Sequence, residues 1–395
     1  MIYPRQKSSY HIAGKSIYRI GVDASLLSEQ VTGIGRYTDE ILRRMVSFGH
    51  EWFLYSHRPV VVGNWDFDNV HLRTGNIPKR FLRMLWVQSV IPFQIGRDRI
   101  NLFWSPAHRL PSLLPARVAR VVTIHDLVWK HAGETMRPLS RWLDATLMPE
   151  AVRLADRVIT VSAHTAEDLL REMPDAQGKV LPIPLGVSPL APAAPRETLA
   201  SLGLEEPYFL FVGTLEPRKN LARLLEAFSC LPDSLKHRAV LAIAGGKGWG
   251  GGDVATIAEK FGVQDRVRVL GYVSEEQLAT LYTHALFLAM PSLYEGFGLP
   301  LLEAMSRGTP VLTSNCASMP EVAGEAGILV DPHDVGSVTQ GLSGLLGNEA
   351  QRSVLASRAK ANAARFSWDR AAGETLQVFA EAIQVHHQKM ACKKS

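Results

Sequence analysis

Two glutamates eight positions apart, Glu295 and Glu303, flank Gly296, Gly298 and Pro300 in the run PSLYEGFGLPLLEAM. On a single helix that separation is about 800°, roughly 80° from eclipsed, so the pair suits a loop residue followed by a residue on the helix the loop feeds. Gly296 and Gly298 would let the backbone approach a ligand, Pro300 suits a first helical turn, and Gly308 suits its end. Such a helix start offers unpaired N–H groups and a positive dipole end to an anion. Carboxylates are unfavourable beside an anion unless they have another task, and accepting hydrogen bonds from the same ligand's hydroxyls is such a task.

Cations stand in a second segment, YFLFVGTLEPRKNLARLLEAF, residues 208–228. A strand ends at Val212, Gly213 opens a loop, and Asn220 stands at the capping position of a helix from Leu221. Arg218 and Lys219 therefore reach a helix start, where they can neutralise a departing diphosphate. A third segment, VVTIHD, residues 121–126, ends a strand in His125 and Asp126. Strand-terminal placement turns both towards the crevice, where an imidazole can orient a hydroxyl and a carboxylate can hold its tautomer. TGIGRYT, residues 32–38, supplies Gly33 and Gly35 in a loop, but Thr38 stands where a dinucleotide fingerprint needs its third glycine.

These segments need strands to end beside them. Ile17–Ala24 reads as a buried strand, followed by a helix from Tyr37 to Phe48 and by short apolar runs at 52–55, 102–104, 118–124 and 157–161. Helical patterns at 141–155 and 165–172 alternate with them, and in VSAHTAEDL Thr165 and Asp168 stand near a capping-box spacing. The tract PLAPAAPRE, residues 189–197, holds three prolines and reads as a linker. Beyond it the alternation starts again, with strands at 208–212, 240–244, 267–270, 286–290 and 327–330. The expected fold is α/β, two Rossmann-like doubly wound parallel sheets facing a cleft, with ligands at the carboxyl ends of the strands. The divisions are 1–188, the linker 189–197, 198–366, and a terminal helix, 367–395, which crosses back onto the first domain through Trp368 and Phe379.

Residues 291–312 resemble the Glu-x7-Glu signature of retaining glycosyltransferase family 4, whose members have the two-domain architecture called GT-B, and the resemblance extends from about Ile17 to Phe366. It implies that Glu295, with the backbone of Phe297, Gly298 and Leu299, contacts a donor sugar, and that Glu303 binds the ribose hydroxyls. It places Lys219 and Gly213 at the donor diphosphate, Gly33 and Gly35 across the cleft from it, and His125 near the reacting sugar. In the family an arginine often follows the glycine; Thr214 stands there, and Arg218 is the substitute cation. SPAHRLP, residues 105–111, resembles an acceptor loop, making His108 and Arg109 acceptor-side candidates beside Asp126 of the VVTIHD strand end, and SNCASMPEVAG places Glu321 near the nucleotide or the domain interface.

The implied reaction is metal-independent transfer of a hexose, mannose from GDP-mannose being the first choice, to a hydroxyl of a lipid-linked oligosaccharide or polysaccharide. The leaving phosphate takes the acceptor proton on the same face, so no cofactor beyond the nucleotide sugar is implied. A GT-B sugar-nucleotide epimerase, a non-catalytic nucleotide-sugar-binding protein and a Rossmann oxidoreductase are the alternatives. Asp66-Phe67-Asp68 matches a metal-holding Asp-x-Asp but lies in an ordinary polar connection. No Walker A loop, His-Glu-x-x-His or Gly-x-Ser-x-Gly occurs, and none of the three cysteines forms a Cys-x-x-Cys pair, which argues against hydrolase, zinc and disulfide chemistry.

The net charge of +5 is uneven: residues 1–190 hold 24 Lys and Arg against 17 Asp and Glu, leaving 19 against 21 for the rest. Residues 73–99 concentrate it, with Arg73, Lys79, Arg80, Arg83, Arg97 and Arg99 among Phe81, Leu82, Met84, Leu85, Trp86, Val87, Val90, Ile91 and Phe93. This pattern fits either a core helix with solvated arginines or peripheral docking on anionic membrane, and nucleic acid is not a partner. With no signal peptide or spanning segment in the sequence, a cytoplasmic location, at the inner face of a membrane if it docks, is the expectation.

Overall fold

The computed structural model describes residues 17–28, 33–60, 67–77, 86–246, 248–250 and 253–392. The first half forms a seven-stranded parallel sheet from β1 (Arg19–Asp23), β2 (Glu51–Ser56), β3 (Val70–Thr74), β4 (Leu102–Ser105), β5 (Ala119–Ile124), β6 (Arg157–Thr160) and β7 (Val180–Pro182), in the order β3-β2-β1-β4-β5-β6-β7. The second forms a six-stranded parallel sheet from β8 (Tyr208–Val212), β9 (Val240–Ala244), β10 (Val267–Gly271), β11 (Leu288–Met290), β12 (Val311–Ser314) and β13 (Gly327–Val330), ordered β10-β9-β8-β11-β12-β13.

Both orders reverse direction once, between β1 and β4 and between β8 and β11, and ligand crevices of open α/β sheets form at such reversals. The central strands of the second sheet, YFLFV of β8, VLAIA of β9 and LAM of β11, are apolar throughout because helices cover both faces. The edge strands β3 (VHLRT) and β10 (VRVLG) are half-exposed and carry charge, which blunts edge-to-edge pairing. His71 and Arg73 keep β3 from reading as an apolar run, and β7 (VLP) is too short to read as one.

The helix Trp368–Cys392 returns from the second half to the first. Its Trp368 Nε1 donates to Ser188 Oγ at 3.1 Å, Phe379 packs on Trp104 with ring centroids 5.5 Å apart, and His386 and Lys389 both reach the buried Asp156. One apolar cluster consequently runs from Ile20 and Trp104 through Trp368 and Phe379 to Leu210 and Leu302, joining the two sheets.

Three local expectations are corrected. Gly33 and Gly35 are not in a loop: they occupy the first turn of the helix Gly33–Met45, which starts four residues earlier than Tyr37. The basic stretch 73–99 is not one amphipathic helix. Arg73 lies on β3 and makes a bidentate pair with Asp98 (3.0 and 3.1 Å), Trp86, Val87 and Ile91 are buried in the first core, and of the named apolar residues Val90 and Phe93 are exposed; Lys79 to Leu85 lie outside the described residues. Thr165 is not the cap of its helix. Ser162 is, accepting from the Thr165 N–H at 3.0 Å, which leaves Asp168 free for other contacts.

Candidate active site

The loop after β11 and the helix Leu299–Ser306 hold the two glutamates in different frames. Gly298 closes the loop at φ 103°, a conformation a side chain strongly disfavours, and a Cβ there would stand 2.5 Å from Met319 Cε. The helix that follows, Leu299–Ser306, has Pro300 near its start. Glu295 lies on the loop and Glu303 within the helix, and both are buried.

Glu295 is gripped by cations of its own half. Lys219 Nζ donates to Oε1 at 2.6 Å and Arg218 Nη1 stands 2.5 Å from Oε2, while Arg218 also donates to the Tyr294 carbonyl at 2.9 Å. Burial alone would raise the Glu295 pKa, but the charges and hydrogen bonds of Arg218 and Lys219 outweigh it and hold it at about 2. Burial likewise disfavours the charged Arg218, and Glu295 and Asp126 reverse that and raise its pKa. Asn220, between these cations and their helix, adopts the left-handed conformation (φ 61°) and does not cap it; its Nδ2 instead donates to the carbonyls of Pro291 and Pro332, tying the loop after β8 to the loops after β11 and β13. Gly213 lies against the Lys219 side chain, and Thr214 is exposed.

Glu303 is held from both halves. Arg36, in the helix Gly33–Met45, pairs with its Oε1, and Tyr282 donates to its Oε2 at 2.8 Å. Here burial dominates and keeps the carboxyl above its ordinary value, with Arg36 and Tyr282 only partly offsetting it. Sequence reasoning singled out neither group. Arg36 lies inside the quoted TGIGRYT motif, directly after Gly35, and that was the available signal.

His125 is buried, and its Nε2 donates to the Pro106 carbonyl at 2.7 Å, so Nδ1 is the free acceptor of the neutral ring. Burial first and His108 second lower its pKa to about 4, and it is neutral at pH 7. Asp126 does not hold the tautomer: its Oδ1 accepts from the Val128 N–H at 3.2 Å in a turn. His108 accepts the His125 backbone N–H at 3.0 Å, whereas Arg109 turns away to Asp144 at 2.8 Å. Gly296 approaches not open space for a ligand but the first half itself, since a Cβ there would stand 1.8 Å from the His125 carbonyl oxygen. Phe297 buries its ring against Phe366, centroids 5.6 Å apart, and its carbonyl accepts from Ser318. Glu321 bridges the halves, its carboxylate accepting the N–H groups of Ala163 (3.0 Å) and His164 (3.4 Å) at a helix start. Asp68 lies in a turn, and Asp66 is outside the described residues.

The structure thus brings Glu295, Arg218, Lys219, Gly298 and the start of the helix at Leu299 into one site, with His125 and His108 directly across the Gly296 contact. Glu303 belongs to an adjoining site completed by Arg36. Paired cations, a helix N-terminus and buried carboxylates suit a ligand with an anionic diphosphate and a polyhydroxylated remainder.

Comparison with known proteins agrees. Residues 31–189 match the model described as Glycosyltransferase Family 4, and residues 198–362 match Glycosyl transferases group 1. The chain is 34% identical to O-antigen chain mannosyltransferase B of Escherichia coli over 67% of its own length and 71% of that protein's. It is 32% identical to a D-inositol 3-phosphate glycosyltransferase of Streptomyces avermitilis over 65% of its own length and 58% of the relative's, and 31% identical to the serotype-specific mannosyltransferase WbdA of Escherichia coli over 58% and 29%. In these two cases the match spans less than two thirds of the relative. Among solved structures, the sucrose-phosphate synthase of Thermosynechococcus elongatus superposes with a TM-score of 0.71 at 21% identity, covering 95% of this chain and 100% of that one. WaaG, a glycosyltransferase involved in lipopolysaccharide biosynthesis, superposes with a TM-score of 0.71 at 18% identity, covering 92% and 99%.

Proposed function

This chain belongs to glycosyltransferase family 4 and has its two-sheet GT-B fold, and from that premise we propose that it moves mannose from GDP-mannose to a hydroxyl of a lipid-linked oligosaccharide or polysaccharide, with retention and without a metal ion. The observation that carries the reading is the meeting of Lys219 and Arg218 with the helix start at Leu299 beside Glu295. The mannose preference rests on two relatives named as mannosyltransferases.

In this scheme the donor diphosphate takes over Lys219 and Arg218, and Glu295, released from them, accepts hydrogen bonds from the sugar hydroxyls. Lys219, Arg218 and the helix dipole supply positive charge where the leaving group becomes more negative, the role a metal plays elsewhere. The bond from the anomeric carbon to the phosphate oxygen breaks, the acceptor oxygen bonds that carbon on the same face, and the departing phosphate oxygen takes the acceptor proton. His125, neutral with a free Nδ1 lone pair, orients a sugar hydroxyl, and Glu303 exchanges Arg36 for the ribose hydroxyls. In this scheme Gly33 and Gly35, at a helix start in the first half, face the donor across the cleft, and the acceptor side falls to His108 and Asp126, Arg109 being engaged by Asp144. Domain closure excludes water and favours transfer over hydrolysis.

A lipid-linked acceptor places the reaction at the cytoplasmic face of a membrane. Among the described residues no helix is long and apolar enough to cross one, and the exposed Phe93 beside Arg97 and Arg99 would make the contact.

A thermal-shift panel tests the donor. GDP-mannose and GDP at about a hundred times Kd should add about 2.7 kcal/mol to native stability and raise Tm by several degrees, with UDP-glucose and UDP-N-acetylglucosamine giving less. A larger shift with the uridine nucleotides would overturn the guanosine assignment, and no shift with any nucleotide would overturn the binding site.

A further inference from the structure

A set of contacts between the halves converges on the residue before Glu295. The Tyr294 side chain is buried, and its hydroxyl donates to Asp168 Oδ2 at 2.7 Å across the cleft, on the helix Ala163–Glu172. Its ring stacks on His131, with centroids 5.3 Å apart and planes at 15°. Asp168 is buried as well and also receives Arg171 at 2.8 Å and His164 Nε2 at 3.1 Å. The helix does not need this carboxylate for its start, which Ser162 caps.

Both sides of Glu295 are held, but by different halves of the molecule. Its own half fixes the Tyr294 carbonyl through Arg218 (2.9 Å) and the Glu295 carbonyl through Ser318 Oγ (2.9 Å). The first half fixes the Tyr294 side chain through Asp168 and meets the Gly296 carbonyl through Thr165 Oγ1 at 3.4 Å. A group that must meet a sugar hydroxyl tolerates little displacement, and misplacement of about 1 Å can cost on the order of a hundredfold in rate.

We propose that Asp168 and Tyr294 form an interdomain clamp that sets the position of Glu295 when the halves close, which makes Asp168 a positioning residue for transfer. The proposal rests on the reading of Glu295 as the donor-sugar contact. Tyr294 meets the diphosphate site only through its backbone carbonyl, which accepts from Arg218 and is unaltered by a side-chain substitution, so loosening the clamp lowers turnover while leaving nucleotide affinity in place.

The test compares Tyr294→Phe, Asp168→Ala, Asp168→Asn, the Tyr294→Phe/Asp168→Ala double variant and Glu295→Ala. Each is measured for Tm, for GDP affinity by calorimetry, and for nucleoside diphosphate released from GDP-mannose in the presence of a mannose-terminated oligosaccharide; UDP and UDP-glucose replace the pair if the nucleotide panel selects uridine. Tyr294→Phe and Asp168→Ala should each lower kcat about tenfold, the size of a charged hydrogen bond partly lost, with GDP affinity within about twofold of the parent. The double variant should be no worse than the poorer single one, and Asp168→Asn, which keeps an oxygen for the tyrosine hydroxyl, should recover most of the loss. Unchanged kcat in folded Tyr294→Phe, losses that multiply in the double variant, or a parallel loss of GDP affinity would each overturn the clamp. Glu295→Ala separates the two readings: if it turns over normally the role of Glu295 fails, and if it is inactive while Tyr294→Phe is normal the clamp alone fails.

Discussion

Glu295 and Glu303 sit eight residues apart in one loop and helix, both buried, and burial pushes both carboxyls the same way. What separates them is the source of the compensating charge. Glu295 has two cations from its own half, Arg218 and Lys219, and its pKa falls to about 2. Glu303 has one, Arg36, reaching over from the first half, and stays above its ordinary value. The charge state of Glu295 is therefore set by cations of the second half, whereas that of the other glutamate depends on how the halves meet. A site assembled this way holds its anion machinery ready and makes the neighbouring contact conditional on closure.

The comparison breaks most severely at Lys219. Lys219→Ala leaves Glu295 buried with one cation, and truncating one partner of a buried pair costs about 3–5 kcal/mol. The variant should unfold several degrees lower, and transfer should fall on the order of a hundredfold because a cation at the developing charge is gone. Chemical denaturation and a turnover assay check the two effects, and transfer at the parent rate in a folded variant would remove Lys219 from the site.

The acid limb of stability sharpens the contrast. Glu295 has a folded pKa of about 2 against an ordinary 4.5, so its contribution is fully present above pH 4.5 and is lost as pH falls from there towards 2. The shift corresponds to about 3 kcal/mol. Glu295→Gln should flatten the decline of denaturation free energy between pH 4.5 and 2 relative to the parent, and an unaltered slope would mean that the pairing does not persist in solution.

The motif residues of the second half were readable because their chemistry is local. Glu295, Glu303, Gly298, Arg218 and Lys219 lie within two short stretches whose strand, loop and helix signals agree. The pairing of the sheets was readable for a similar reason, since buried parallel strands are continuous apolar runs. The edge strands β3 and β7 were not, because His71 and Arg73 interrupt the first and the second is only three residues, VLP. Partners that come from far along the chain were also invisible: Arg36 to Glu303 spans 267 residues, and Asp168 to Tyr294 spans 126. At the starts of two helices the residue types were right for capping, yet Asn220 was recruited to tie two loops together and Ser162 took the cap expected of Thr165. Local propensity proposes such roles, and tertiary contacts reassign them.

The smallest expected effect comes from the conditional side of the comparison and carries the opposite pH signature. Arg36 is about a quarter exposed, so its attraction for Glu303 is partly screened and its removal should cost about 1–2 kcal/mol at neutral pH. Without it the Glu303 carboxyl should bind its proton more tightly still, because burial then acts against Tyr282 alone among the groups that lower it. A folded pKa above the unfolded one costs nothing while both states are protonated, and the cost develops as pH rises through 4.5 and levels off above the folded value. The stability gap between Arg36→Ala and the parent should therefore be small at pH 4 and larger at pH 7, the reverse of the Glu295 pattern. Saturating nucleotide should narrow the gap, since ribose hydroxyls would then occupy Glu303 in both proteins. Denaturation midpoints at the two pH values, with and without GDP, check this, and a gap that is largest at pH 4 would show that Glu303 is not the group Arg36 serves.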